Sequence, residues 1–493
     1  MLVHFAPSSG VVLAMLTACF VLVLLFEATN GFHDTSNAVA TVIYTNALKP
    51  VPAVLWSGLL NFLGVMVGGI AVAYALVEIL PPDVLTPPDG APSVPMLVSI
   101  FATALFWNVL TWALGIPNSS SHCIIGALIG VACGDALLQS RTLAEGVDWH
   151  QIIVVLEALA LSPVIGLLGA GGLYGLLRVV LPRGGHLFEP PEDGLPPVWW
   201  LRGLLVLTCT GVSFSHGTND GQKSIGLIML TVIGLMPATY ALNPNVPQQM
   251  AALGRNAAAA IPLVERYGDD RKERGLNAAR ALQATGTRAG EIATNAPATQ
   301  PATEVSSTQP GGPGSAVVQP APSASVPATR AQLRGDVYDV LAQLKHAGEV
   351  AGLSKDDKAQ VARLRAELGP PVQYAPIWVR VLSALCLGLG TMVGYKRIVK
   401  TLGERLGRGH MTPGQGASAE LVGAVLIGTA GFTGLPVSTT HIITSGITGT
   451  MLTGGQGVQG GMLVRIALAW LFTLPVTIVL AGGLFYVLDN PRF

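Results

Sequence analysis

The chain has 493 residues, half of them hydrophobic and only 11% charged, with 28 basic and 28 acidic side chains in balance. Soluble proteins carry roughly a quarter charged residues, so this composition excludes a soluble globular enzyme, and zero net charge excludes the basic footprint of nucleic-acid binding. The 59 glycines and 34 prolines suit membrane helices, where both are commoner than in soluble ones. Cys19, Cys123, Cys133, Cys209 and Cys386 stand singly in apolar segments. With no metal-ligand spacing and no close pair, they read as packing residues, and no resident metal or cofactor is expected.

A membrane-spanning helix needs about 20 mostly apolar residues. On that template the first half of the chain predicts segments at 11–28, 53–77, 95–114, 122–138 and 152–181, and the second half at 201–214, 222–238, 374–395, 417–433, 441–453 and 462–488. The first segment has nothing basic before it and runs straight into a polar motif, so it is read as a membrane helix rather than a cleaved signal. The short segments 122–138, 201–214, 222–238 and 441–453 all abut motifs, which predicts discontinuous or re-entrant helices there. The expected fold is an all-α polytopic membrane protein of about 10 to 12 such segments.

Four motifs organise the chain. Glu27–Thr41 (EATNGFHDTSNAVAT) and Ser215–Gly226 (SHGTNDGQKSIG) align Gly31 with Gly217, His33 with Asn219, Asp34 with Asp220 and Asn37 with Lys223. Each is followed by a Gly-x-Pro, a hydroxyl triplet and a histidine: Ser119–Ser121 with His122, and Ser438–Thr440 with His441. The spacing from Asp34 to His122 is 88 positions and that from Asp220 to His441 is 221. The excess is the length of one polar insertion, so the chain is a duplicated membrane unit. Residues 1–200 form the first repeat, 201–240 the start of the second, 241–373 the insertion and 374–493 the remainder. The insertion's Pro-, Ala-, Thr-, Ser- and Gln-rich middle, about 289–329, has too little apolar surface to order, and its charged flanks suggest short soluble helices.

Loop charges give the orientation. The loop 78–95 holds Glu78, Asp83 and Asp89 with no basic residue, whereas its counterpart 396–410 holds Lys396, Arg397, Lys400, Arg405 and Arg408. Short cytoplasmic loops are rich in Lys and Arg, so equivalent loops face opposite sides, as in an inverted repeat. Lys49, the 178–202 loop and 396–408 then lie inside, and the insertion lies on the periplasmic side.

An ionised carboxylate within the hydrocarbon layer costs at least about 2.5 to 3.5 kcal/mol, which singles out Asp34, Asp220 and Glu27. Glu157 and Glu420 also fall in apolar segments but have no equivalent in the other half. The hydroxyl triplets precede apolar helical runs whose first N–H groups lack intrahelical partners, and such helix starts bind oxyanions; the bland alternative is ordinary capping. Phosphate near neutral pH keeps a proton that a carboxylate can accept in a hydrogen bond, unlike sulfate. The same Asp can instead bind a coupling cation, namely a proton, sodium or a divalent metal. His33, His122, His216 and His441 add groups that titrate near physiological pH, and Lys223 adds a cation that meets either phosphate or Asp220.

These residues resemble the PiT family of inorganic phosphate transporters, and closely the bacterial low-affinity Pit-type permeases. The duplicated signature is matched by Gly31, Asp34, Asn37 and Ala38 and by Gly217, Asn219 and Asp220. The resemblance implies an inverted-repeat carrier in the bacterial inner membrane that binds phosphate through Asp34, Asn37, Ser120, Ser121, Asn219, Asp220, Ser438, Thr439 and Thr440. It implies coupling through groups among Glu27, Asp34, His122, Asp220, Lys223 and His441. His33 and Lys223 stand where the generic signature has Asn, which is similar to the bacterial permeases rather than the sodium-coupled members. Proton symport, with phosphate free or as a neutral complex with a divalent metal such as magnesium, is the implied activity. Sodium-coupled phosphate or sulfate symport and an uncoupled anion channel are the alternatives. The implied partners are phosphate and the lipid bilayer, and a homo-oligomer stays open. An embedded phosphotransfer enzyme is disfavoured, because no nucleophile–base set and no Gly-x-x-x-x-Gly-Lys loop appears.

Overall fold

The structure is a computed structural model that describes residues 10–81, 84, 93–182, 185–191, 195–244, 246–269, 271–295, 329–350 and 352–490. It divides into a membrane unit, Met1–Pro237 with Gln373–Phe493, and an inserted unit, Ala238–Val372. No strand occurs among the described residues.

The first repeat holds α1 (Gly10–Tyr44), α2 (Pro50–Val67), α3 (Ala71–Val77), α4 (Val94–Ala113), α5 (Ser120–Leu138) and α6 (Trp149–Val180). The second repeat opens with α7 (Trp199–Leu235). After the inserted helices α8 (Val246–Tyr267), α9 (Lys272–Asn295), α10 (Arg330–Glu349) and α11 (Lys355–Leu368), it continues with α12 (Ile377–Gly394) and α13 (Lys396–Lys400). A π-helical turn (Thr401–Arg405), α14 (Pro413–Thr433), α15 (Thr439–Gly454) and α16 (Gly460–Asp489) complete it. Eight described helices are long and apolar enough to cross a membrane. Outward residues such as Val21, Leu25, Val164, Leu168, Phe472 and Val479 are exposed, an apolar surface suited to lipid.

Helix starts follow their sequence signals. Pro50 occupies the first turn of α2, where a missing N–H costs nothing. Thr412 and Gln415 form a capping box at α14, each side chain taking the other's unpaired backbone N–H. Gly115 and Gly434, the glycines of the two Gly-x-Pro turns, have φ of 66° and 79°. That left-handed turn lets the chain leave α4 and α14 without the penalty a Cβ would bring.

Two expectations are corrected. Segments 201–214 and 222–238 are not separate half-helices: α7 runs unbroken through the second signature, and α1 runs unbroken through the first. Their polar residues bond sideways to other helices, so the backbone ladder stays intact and the helix need not unwind. The expected single segment 53–77 is in turn broken at Gly68–Ile70, where Gln222 Oε1 accepts from the Val72 N–H at 2.9 Å.

The halves pack reciprocally. α1 packs on α12 as α7 packs on α2, and α5 packs on α16 as α15 packs on α6, the pattern of a two-fold relation. α1 and α7 run antiparallel. Glu27, seven positions before Asp34, meets Ser224, four positions after Asp220. At the other end, Arg202 Nε donates to the Ala47 carbonyl at 2.8 Å. The two signature helices therefore point in opposite directions, an arrangement consistent with inverted repeats.

The inserted unit has its own core, including Leu253, Ala257, Leu282, Val337, Leu344 and Leu368. Buried Arg334 stacks over Tyr338 and donates to the carbonyls of Ala241 and Val372, tying entry to exit. α9 continues to Asn295, so 289–295 of the segment expected to be disordered is helical. The remainder to 328 lies outside the described residues.

Candidate functional site

The first signature occupies the middle of α1. Asp34 is buried, and its two oxygens accept from the hydroxyls of Ser120, in the same repeat, and Thr440, in the other. Asn37 Nδ2 donates to Thr440 Oγ1 at 2.9 Å, and Ser120 Oγ donates to Asn30 Oδ1 at 2.6 Å. Both triplets therefore converge on one carboxylate.

The second signature repeats the frame with different chemistry. Lys223 Nζ lies 2.6 Å from Asp220 Oδ1 and donates to Ser121 Oγ at 2.5 Å and to the Val437 carbonyl at 3.0 Å. It takes the place that Asn37 holds opposite Thr440. His216 Nε2 stands 3.2 Å from Asp220 Oδ2, so Asp220 is met by an ammonium and an imidazole, whereas Asp34 is met by hydroxyls alone. Asp34, His216 and Asp220 each place a ligand atom within 4.8 Å of the others. Sequence spacing had not suggested this as a cation-binding set.

The triplets divide their work by position. Ser119 and Ser438 are N-caps whose oxygens accept from the N–H groups of His122 and His441 at 3.2 Å each, so Ser438 serves the helix start rather than an open site. Of the next two positions, Ser120 and Thr440 face Asp34, whereas Ser121 meets Lys223. Ser121 Oγ also donates to the Val437 carbonyl of the opposite turn at 3.1 Å. The imidazoles of His122 and His441 lie tilted by 40° with centroids 4.3 Å apart, and His441 lies tilted by 30° against Trp470 at 3.8 Å. Two helix N-termini thus meet beside two carboxylates. Buried atoms without a hydrogen-bond partner include Asn37 Oδ1, Asn219 Oδ1, Thr439 Oγ1 and His441 Nε2. Leaving such groups unmade costs about 1 to 3 kcal/mol each, which marks them as groups for a ligand to satisfy.

A model of the phosphate transporter family matches residues 30–189 and 193–481. The chain belongs to this family. It is 38% identical over 96% of both chains to the low-affinity inorganic phosphate transporter PitA of Escherichia coli (strain K12). PitB of the same organism is 36% identical, also over 96% of both chains. A solved structure titled as the sodium-dependent phosphate transporter shares the fold, with a TM-score of 0.52 at 17% identity over 97% of this chain and 100% of that one.

Within this family member, each remaining carboxylate has a distinct setting. Glu27 is fully buried: Ser383 Oγ donates to Oε1 at 3.0 Å, and Ser224 Oγ and Asn30 Nδ2 donate to Oε2. Glu157 is exposed on α6. His33 turns away from the Asp pair, its Nε2 against the Asn108 carbonyl at 2.8 Å. Asn30 escaped the sequence reading as a site residue because it has no duplicate, and Glu420, noted there as a carboxylate in an apolar segment, stood only as a secondary candidate for the same reason. Asn30 carried a usable signal, lying one helical turn before Asp34 on the same face.

Proposed function

We propose that the chain is a secondary active transporter that imports inorganic phosphate across the bacterial inner membrane by proton symport, through alternating access. One observation carries the reading. Two helix N-termini, each bearing the hydroxyls of its triplet and first-turn N–H groups that lack an intrahelical partner, converge on a buried centre holding two carboxylates and one ammonium. Helix N-termini and Lys223 attract an oxyanion, while Asp34 and Asp220 leave no spare positive charge for it. An anion enters such a centre only with added positive charge, which couples its movement to a cation.

In this reading Ser121, Thr439, Thr440, Asn37, Asn219 and Lys223 donate to the phosphate oxygens, and Asp220 is kept in place by Lys223 and His216. Asp34, bonded only by neutral groups, takes the coupling proton. His122 and His441 sit where a proton passes between the triplets. Lys223 is a built-in cation in the half where Asn37 is neutral, so the second half needs no mobile ion and the first half does. The fused antiparallel repeats then rock against each other to expose the centre to each side.

A second reading concerns the form of the cargo. The cluster of Asp34, His216 and Asp220 favours a divalent metal–phosphate complex, the metal facing the carboxylates and imidazole and the phosphate facing the helix starts. Sodium in place of the proton, sulfate in place of phosphate and an uncoupled channel are the competing outcomes.

The test is uptake of labelled phosphate by proteoliposomes holding the purified protein, with proton gradient, sodium gradient and magnesium varied independently, beside Asp34→Asn. Accumulation driven by the proton gradient and lost in the variant supports the reading. Equilibration indifferent to every gradient sinks coupling and leaves a channel.

A further inference from the structure

We infer that Glu420, clasped by Thr41 and Thr208, is a second proton site of the transport cycle, set between the central carboxylates and the inner end of the protein. The inference rests on the proton-symport reading above and adds to it a residue with no role there.

Glu420 lies on α14 and is fully buried. Thr41 of α1 donates to Oε1, and Thr208 of α7 donates to Oε2 at 2.5 Å. One carboxyl group therefore joins both signature helices to α14. Among the described residues no Lys, Arg or His forms an ion pair with it. From α7 the titratable group nearby is the Cys209 thiol. From α1 the facing group is Thr41, and α15 packs beside it through Ile443. On α6 the Tyr174 hydroxyl lies at the Thr412 cap, 3.4 Å from Thr412 Oγ1. A carboxylate withdrawn from water with no cation is expensive by several kcal/mol, so its charge is met by a proton or a small cation.

Its place in the molecule favours the proton. Thr41 lies seven residues beyond Asp34 on α1, about 10 Å along the helix axis, toward the end that carries Lys49. Glu27 lies seven residues before Asp34, the same distance the other way, and it too is held by hydroxyls and an amide. α1 thus passes three carboxyl stations at even spacing, with the Asp pair in the middle. Duplication does not impose this row. The counterpart of Glu27 is Ser213, which bonds Ser57 at 2.7 Å, and the counterpart of Glu420 is Phe101. Each flanking carboxyl stands where the other repeat has none, one on each side of the centre.

The clasp suits a group that gains and loses a proton. A hydroxyl donates to a carboxylate and accepts from a carboxylic acid. Thr208 Oγ1 has the Leu205 carbonyl within 3.1 Å as an alternative acceptor, so both charge states find partners without moving a helix.

The deciding experiment uses the full chain in proteoliposomes and compares proton-driven accumulation with phosphate–phosphate exchange at equal pH, which moves no net proton. Glu420→Gln keeps the size of the side chain, its amide oxygen accepting from Thr41 and its NH2 donating to Thr208, whose own hydroxyl turns to the Leu205 carbonyl. Its expected behaviour is exchange within about twofold of the unmodified protein with accumulation lost, and Glu420→Asp restores part of the accumulation. Accumulation by Glu420→Gln at the unmodified level overturns the inference. So does loss of exchange together with accumulation in a variant that retains the unmodified melting temperature, since that describes a positioning role. Absence of proton-driven accumulation in the unmodified protein strikes the symport reading instead, and is read in a separate arm.

Discussion

Lys223 decides how this site differs from a symmetric one. It is fully enclosed with Asp220, and both charges have left water together. Removing one member of such a pair strands the other and costs about 3 to 5 kcal/mol, whereas replacing both can be nearly neutral. Lys223→Gln is therefore expected to lower thermal stability sharply, and Lys223→Gln combined with Asp220→Asn to recover much of it. Intrinsic tryptophan fluorescence during heating of the purified protein reads both. Losses that simply add in the double variant would show that the pair is not coupled. Phosphate affinity separates from stability here, because neither variant restores an ammonium at the helix starts. Both are expected to bind phosphate at least about tenfold more weakly, the equivalent of one charge-assisted hydrogen bond.

At the scale of helices, the signature glycines are contact residues. A Cβ at Gly31 would collide with the Leu387 carbonyl of α12, and one at Gly217 with the Asn61 carbonyl of α2. Small residues let membrane helices approach this closely. Gly31→Leu should force α1 and α12 apart and displace Asp34 from Ser120 and Thr440, abolishing uptake while Gly10→Leu, in open space, leaves it intact. Equal uptake by the two variants would refute the packing role. The duplication, the carboxylates and the hydroxyl triplets were legible in the sequence because each is a local pattern that occurs twice. The unbroken course of α1 and α7 was not, because polar residues inside an apolar run look like breaks until their partners on α5, α14 and α15 are known. Glu420 and Asn30 were obscure for a related reason, since their meaning lies in contacts between distant helices. In the inserted unit, burial first and then the neighbouring Asp339 push the Asp336 carboxyl up from 3.8 to about 6, with Arg274 opposing. A raised folded value means that α10 holds this proton more tightly than the unfolded chain. Its stabilising contribution is present below pH about 4 and is lost as pH rises through about 6. Asp336→Asn should therefore slow hydrogen exchange of Arg330–Glu349 at pH 7 more than at pH 5, once intrinsic exchange rates are corrected.

For the whole molecule, antiparallel equivalent helices have a consequence that charge counting in loops only suggests. If α1 and α7 cross the membrane in opposite directions, the chain ends each repeat on the side opposite to where the same step of the other repeat ends. The loop between α5 and α6 must then lie across the membrane from the basic stretch that leads into α14. The Gln151 side chain at the start of α6 donates to the Ala75 carbonyl of α3 at 2.9 Å, which puts that loop at the end bearing the acidic 78–95 segment. Ala144 and Arg408 are both exposed, and the five native cysteines are buried or half-buried, so new thiols at these two positions can be told from the background. A membrane-impermeant maleimide added to intact spheroplasts is expected to modify Ala144→Cys and spare Arg408→Cys, and inverted vesicles should reverse the pattern. Modification of both from one side would mean parallel repeats. The two hydroxyl triplets would then approach the centre from the same face, and alternating access by rocking one repeat against its inverted twin would lose its structural basis.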